Sequence, residues 1–212
     1  AGVVHTLAAA IAERGLHVKD VSVAIQGFGK VGAHAAAILA EQGARVVGVS
    51  DEFGGLFRAD GLDVPALFEH VERTGSVVDF PGADAISNEE LLALEVDVLV
   101  PAAVEGVLDE RTAPKVRATW VVEGANGPTT GAGDAILAER GVVVVPDILA
   151  NAGGVVVSYF EWVQANQAYW WTLAEIEEKL AERMHKGYAD VADLARRENI
   201  SLRDAALCIG VR

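Results

Sequence analysis

The sequence predicts an α/β protein, a doubly wound and mostly parallel sheet followed by a long C-terminal helical segment. Three observations predict it. Short β-branched runs alternate with stretches of helical spacing, the order that builds parallel sheets. Several runs are apolar nearly throughout rather than alternating, as strands buried on both faces are. From Leu173 onward the spacing is helical only. The 212 residues fit one domain, or one with an appendage, at about 150 residues per domain.

The elements follow in order. Val4, Leu7, Ala8 and Ile11 stand at i, i+3, i+4 and i+7, which predicts a helix with Gly15 as its C-terminal cap. Residues 21–25 (VSVAI) predict a strand. Val31, Ala35, Ile38, Leu39 and Gln42 trace a helix closed by Gly43, and residues 45–50 (RVVGVS) a second strand. Residues 53–63 carry three glycines and predict a small hairpin or irregular loop. Helical stretches follow at 63–74 and 88–94, the latter with Glu89 and Glu90 in its first turn, where acids complement the helix dipole. Between them Val77-Val78 is the candidate third strand. Residues 96–100, 119–122 and 142–145 predict strands, and 129–140 and 151–165 helices. Leu173, Ile176, Leu180, Met184, Tyr188 (or Gly187), Val191 and Ala195 predict the long helix. Three of the four tryptophans, Trp162, Trp170 and Trp171, fall just before it. The chain thus divides into residues 1–165 and a C-terminal helical segment, 166–212, that packs back on the sheet or bridges to another domain.

Composition excludes several function classes. With 17 Lys and Arg against 31 Asp and Glu, the net charge is −14, which repels nucleic acid and anionic membrane surfaces. The lone Cys208 can form neither an internal disulfide nor a multi-cysteine metal site. The five histidines are scattered, and no carboxylate cluster has metal spacing, so no metal is expected. Apolar runs fall short of a membrane span and no signal-like segment opens the chain. A cytoplasmic protein is the expectation.

The strongest motif is Gly27-Phe28-Gly29-Lys30-Val31-Gly32, a G-x-G-x-x-G that follows a predicted strand and opens a predicted helix. In that context Gly27 permits the tight turn, Gly29 admits a pyrophosphate to the backbone, and Gly32 lets the helix pack on the strand. The helix N-terminus offers free N–H groups to phosphates. Asp51, nineteen residues past Gly32 at the end of the second strand, suits the ribose hydroxyls of NAD. Glu52 adds negative charge where the extra phosphate of NADP would sit, and the nearest cation, Arg58, lies further into the loop. The reading is therefore a Rossmann-type dinucleotide fold favouring NAD, with NADP open. A plain strand–helix turn and a solvated turn acid are the bland alternatives. Ser50, Ser87, Ser158 and Ser201 lack a G-x-S-x-G context, and no catalytic nucleophile–base set is visible.

Four segments go further: Gln26-Gly27-Phe28-Gly29-Lys30-Val31-Gly32, Pro101-Ala102-Ala103, residues 123–130 (EGANGPTT) and residues 146–155 (PDILANAGGV). Together they resemble the cofactor domain of the glutamate/leucine/phenylalanine/valine dehydrogenase superfamily. Residues 157–162 (VSYFEW) look like the glutamate dehydrogenases within it. The resemblance implies that Asn126 lies near the nicotinamide ribose and that Ala102 and Ala103 pass over the cofactor. It implies that Asn151 bonds the nicotinamide carboxamide and that Ser158 helps hold the substrate side-chain carboxylate. Read without it, the two asparagines are turn residues beside glycine and Ser158 an ordinary helix serine.

Departures accompany the resemblance. Gly106 stands where the family usually has asparagine. The family's catalytic lysines and aspartate belong to a separate substrate domain, and no counterpart occurs here. The resemblance therefore implies an excised cofactor domain that binds NAD(P) and performs no chemistry alone. Its parent would be a homo-oligomer that oxidises L-glutamate to 2-oxoglutarate and ammonia with hydride transfer to NAD(P). The rivals are the cofactor domain of a leucine, valine or phenylalanine dehydrogenase, and a non-catalytic NAD-sensing module with the tryptophan cluster as its interface. A simpler source for exposed aromatics is packing against the missing domain.

Overall fold

The sheet of this protein places five parallel strands side by side, and helices cover both of its faces. A computed structural model describes residues 1–211. The chain opens with α1 (Gly2–Ala12), then β1 (Ser22–Gln26), α2 (Lys30–Glu41) and β2 (Arg45–Ser50). The antiparallel β3 (Gly55–Phe57), α3 (Val64–Thr74), β4 (Asp84–Ile86) and α4 (Asn88–Leu92) follow. Then come β5 (Val98–Pro101), β6 (Trp120–Val122), α5 (Gly131–Glu139), β7 (Val143–Val145) and the single turn α6 (Asp147–Ala150). Three helices complete the chain: α7 (Gly153–Gln167), α8 (Leu173–Glu198) and α9 (Leu202–Gly210).

The strand order is β4-β3-β2-β1-β5-β6-β7. Strands β2, β1, β5, β6 and β7 run parallel, whereas β3 is antiparallel to both of its neighbours. Side chains alternate across the strands, so one strand feeds two cores. Val23, Ile25, Val98, Val100, Trp120 and Val122 join the core under α1, α2, α8 and α9. Ala24, Leu99 and Val121 join the other, under α4 and α5. Burial on both sides explains the near-continuous apolar runs. The expected doubly wound architecture is present.

Within residues 53–63, expected as a small hairpin or irregular loop, a single strand β3 forms and pairs antiparallel with the preceding β2, Ser50 opposite Gly55. The candidate strand at Val77-Val78 does not form. Side chains take the backbone groups a ladder would use. Val77 N–H donates to Asp51 Oδ2 at 2.7 Å, Val78 N–H to Ser76 Oγ at 3.1 Å, and His70 Nε2 lies 2.9 Å from the Val78 carbonyl. Asp79 then turns at φ +63°, and the sheet gains β4 at 84–86 instead. The helix expected at 151–165 forms as α7, and the separate turn α6, bracketed by Pro146 and Asn151, precedes it.

Helix α8 carries a capping box, Thr172 with Glu175, and ends on Asn199 in the left-handed conformation. Its Leu180, Met184, Tyr188, Val191 and Ala195 are buried as their spacing predicts. Leu173 is not: at 71% exposure it stands on the first turn, beyond the body it would pack on. Tyr188 and Val191 share a core with Val3 and Leu7 of α1, so α8 lies back on the fold. Among the described residues no helix is long and apolar enough to cross a membrane.

Candidate functional site

The strand order reverses between β1 and β5, and a crevice opens beyond the carboxyl ends of these strands. Open α/β sheets take their ligands at such a switch point. The crevice has two parts. One, a cavity of about 560 Å³, is lined by Gly27, Gly29, Asp51, Glu52 and neighbours. The other, about 840 Å³, is lined by Val31, Asn126, Asn151, Ser158 and neighbours. Ala102, Ala103 and Val104 line both, so the halves form one groove that passes the β5 loop.

The glycine turn sits at its centre. Gly27 adopts φ +95°, donates its N–H to Ser50 O at 2.9 Å, and would press a Cβ to 2.9 Å from Ala102 O. A Cβ on Gly32 would collide with Gly27 O. On Gly29 it would meet nothing within 4 Å, because that position faces the open groove. Gly29 is the N-cap of α2 with no side chain capping it. The first helix-closing bond there runs from Ala33 N–H to Gly29 O at 2.9 Å, so the N–H groups of the first turn stay open to an anion. A diphosphate fits this cradle of bare backbone.

The other motif residues divide. The Phe28 ring is buried 5.2 Å from Phe68, so its side chain serves the core while the residue still borders the groove. Val31 is half-exposed and borders the second part. Lys30 lines neither part of the groove; with His34 it borders an adjoining cleft that shares Val31 and Asn151 with the second part.

Asp51 ends β2 at the rim, but its carboxylate is committed to the protein. Oδ1 accepts from Phe53 N–H at 2.8 Å and Gly54 N–H at 3.2 Å, and Oδ2 from Ser76 Oγ and Val77 N–H, both at 2.7 Å. A carboxylate has about four lone-pair sites, and all are used. Burial pushes its pKa up, but the bonds from Ser76, Val77, Phe53 and Gly54 outweigh this and hold it below the ordinary value. Such a group stabilises the fold above its unfolded pKa of about 3.9, and that stabilisation fades as pH falls through the lower folded value. The melting-temperature gap between wild type and Asp51→Asn is therefore expected to be full at pH 7 and to shrink below about pH 4. A gap that does not vary with pH would contradict it. Glu52, exposed beside Asp51, leaves its carboxylate free to face the groove. Asn88 Nδ2, which sequence reasoning missed, holds the Asp51 carbonyl at 2.9 Å.

The far end gathers the predicted amides. Asn151 Nδ2 donates to Asn126 Oδ1 at 2.7 Å, which joins two positions 25 residues apart. The Asn126 loop is pinned to β5 where Gly124 and Ala125 N–H both donate to Pro101 O at 2.9 Å. Ser158 is exposed on α7, one turn beyond Gly154 on the groove side. Among the described residues no group of three His, Cys, Asp or Glu could hold a metal. Bare backbone, amides and a hydroxyl are groups that can hold and orient a ligand.

A family model described as Glutamate/Leucine/Phenylalanine/Valine dehydrogenase matches residues 1–212. The cryptic catabolic NAD-specific glutamate dehydrogenase of Bacillus subtilis (strain 168) is 45% identical over 211 residues, covering 100% of this chain and 49% of that protein. The glutamate dehydrogenase of Thermotoga maritima is 46% identical over 198 residues, 93% of this chain and 48% of that one. Among solved structures, a hetero-hexameric glutamate dehydrogenase from Thermus thermophilus superposes with a TM-score of 0.91 at 37% identity, over 97% of this chain and 49% of its own. The chain spans about half the length of these relatives. By sequence and fold together, the chain belongs to the Glutamate/Leucine/Phenylalanine/Valine dehydrogenase family.

Proposed function

We propose that this chain is the NAD-binding half of a glutamate dehydrogenase that oxidises L-glutamate to 2-oxoglutarate and ammonia. One observation carries the reading. The groove runs unbroken from Glu52, past the bare Gly29 backbone, to the Asn126–Asn151 pair. A dinucleotide laid along it has adenosine at Glu52, diphosphate on Gly29 and the α2 N-terminus, and nicotinamide at the asparagines. The bound cofactor supplies the hydride acceptor. The chain's residues hold it: Gly27 and Gly32 shape the turn, Val31, Ala102 and Ala103 border the ring's path, and Asn126 with Asn151 orient the carboxamide. Because the Asp51 carboxylate is already saturated, we assign contact with the adenosine ribose to Glu52 and give Asp51 the task of shaping its loop. A free acid at Glu52 disfavours the extra phosphate of NADP, and the Bacillus subtilis relative is described as NAD-specific.

In this reading residues 1–165 form the cofactor-binding unit and 166–212 the helical segment docked on it. The full protein works in the cytoplasm as an oligomer, on a small-molecule substrate and with neither nucleic acid nor membrane. The exposed Trp162 and Trp170, at 62% and 72%, pack against a substrate-binding half. The test is steady-state kinetics of the full-length protein with glutamate, leucine and phenylalanine. Ser158→Ala is expected to raise KM for glutamate about tenfold, as loss of a hydrogen bond to a charged group would, with cofactor KM unchanged. Preference for leucine or phenylalanine, or a Ser158→Ala enzyme with unaltered glutamate KM, would favour an apolar-substrate dehydrogenase. Absence of any turnover alongside NAD binding would favour a sensor.

A further inference from the structure

Helix α9 is tied to the acids behind the groove's Asn126 loop through Arg203. Arg203, near its N-terminus, turns into the fold and meets three carboxylates. Its Nη2 lies 2.7 Å from Glu123 Oε1 and 3.3 Å from Asp134 Oδ1, and its Nη1 lies 3.5 Å from Asp147 Oδ1. Glu123 is fully buried and the Asp147 side chain is 16% exposed. Two of these acids do a second task. The other oxygen of Glu123 accepts from Asp147 N–H at 2.8 Å, and Asp147 Oδ2 accepts from Gly127 N–H at 2.8 Å. Gly127 sits at φ +53° beside Asn126, which holds Asn151. An unbroken series of contacts thus runs from Arg203 through Glu123 and Asp147 to the asparagine pair.

The charges make Arg203 the member that holds this series together. Three anions share one cation, two of them with little access to water. Without the guanidinium, Glu123 and Asp147 repel across a poorly screened space. Glu123 is locked at the end of β6, so Asp147 is the acid that gives way, and it takes Gly127 with it. The planar fork spreads its donors over separate nitrogens, Nη2 toward Glu123 and Asp134 and Nη1 toward Asp147, a spacing that the compact lysine ammonium does not reproduce.

We propose that Arg203 is a positioning residue for the nicotinamide end of the groove: it sets the place of Asn126 and Asn151 through Glu123 and Asp147 while lining neither part of the groove itself. The proposal rests on the groove's assignment as a dinucleotide site. The test is calorimetric titration of wild type, Arg203→Lys and Arg203→Met with NAD and, separately, with ADP, which reaches only the Glu52–Gly29 end. Both variants are expected to bind NAD about tenfold more weakly, a change that isothermal titration resolves. Both are expected to hold ADP within about twofold of wild type, a ratio that general loosening of the fold would not produce. Asp134→Asn removes the one Arg203 partner with no link to the Gly127 loop and is expected to leave both affinities in place. Arg203→Lys keeps the charge and provides the comparison should Arg203→Met fold poorly, as a thermal scan would reveal. Equal weakening of both ligands, or of neither, would overturn the role while leaving the groove assignment intact. Failure of wild type to bind NAD would overturn both.

Discussion

Gly32→Ala is expected to abolish dinucleotide binding and to lower the melting temperature by roughly 6–12 °C, from about 3 kcal/mol of overpacking at 2–4 °C per kcal/mol. The added Cβ would collide with the carbonyl oxygen of Gly27. That oxygen cannot withdraw. Its residue is held at φ +95°, its N–H is bonded to Ser50 O, and the Ala102 carbonyl packs against its Cα. Helix α2 must therefore lift from β1, which carries its N-terminal N–H groups out of the groove. Gly29→Ala is the informative companion. Its Cβ meets nothing within 4 Å, so stability should be nearly unchanged while binding weakens, because the methyl fills the approach to the backbone. Calorimetric melting with NAD titration separates the two. A Gly32→Ala protein that melts and binds like wild type would refute the packing argument.

Glu123→Ala is expected to cost about 3–5 kcal/mol of stability, the range for removing one partner of a buried ion pair, read as a lower urea midpoint at unchanged slope. Glu123 has no exposed surface, and its two oxygens serve Arg203 and Asp147 N–H. Its loss leaves the half-buried Asp147 N–H unpaired, creates a void, and leaves Arg203 to Asp134 and Asp147 alone. The contrast is Lys186→Ala, which breaks a pair with Asp190 whose side chains are 68% and 54% exposed. Such pairs contribute about 0–1 kcal/mol. Equal effects from the two substitutions would contradict a stabilising role for the buried Glu123–Arg203 pair.

What the sequence revealed follows from the range of each interaction. The glycine turn was legible because its three constraints lie within six residues of chain and each needs the absence of a side chain. The helices at 64–74 and 173–198 were legible because their apolar spacing is local. The Val77-Val78 segment misled for a definite reason. Its residues have strand propensity, but Asp51, Ser76 and His70 claim its backbone groups, two of them from outside the segment. The three-residue β4 was invisible, since Asp84-Ala85-Ile86 becomes a strand only because β3 is beside it.

The site shows the same division. The asparagines and Ser158 were named only through the family resemblance, whereas the glycine motif could be named from residue type and neighbourhood. The commitment of Asp51 could not, because half of its donors arrive from Ser76 and Val77, 25 and 26 residues away. Nor could the Arg203 cluster, where the guanidinium and Glu123 stand 80 residues apart. Glu123 was visible only as the first letter of E-G-A-N-G-P. Its burial beneath the groove loop, which gives that letter its physical meaning, belongs to the fold.

The central claim is that the groove binds NAD with its adenosine end at Glu52. The most direct measurement is calorimetric titration of the chain with NAD and, separately, with NADP. Saturable binding of NAD, weaker binding of NADP, and loss of that preference in Glu52→Ser with the Asp51 loop intact are the expected results. Tighter binding of NADP, or binding of neither cofactor, would contradict the account.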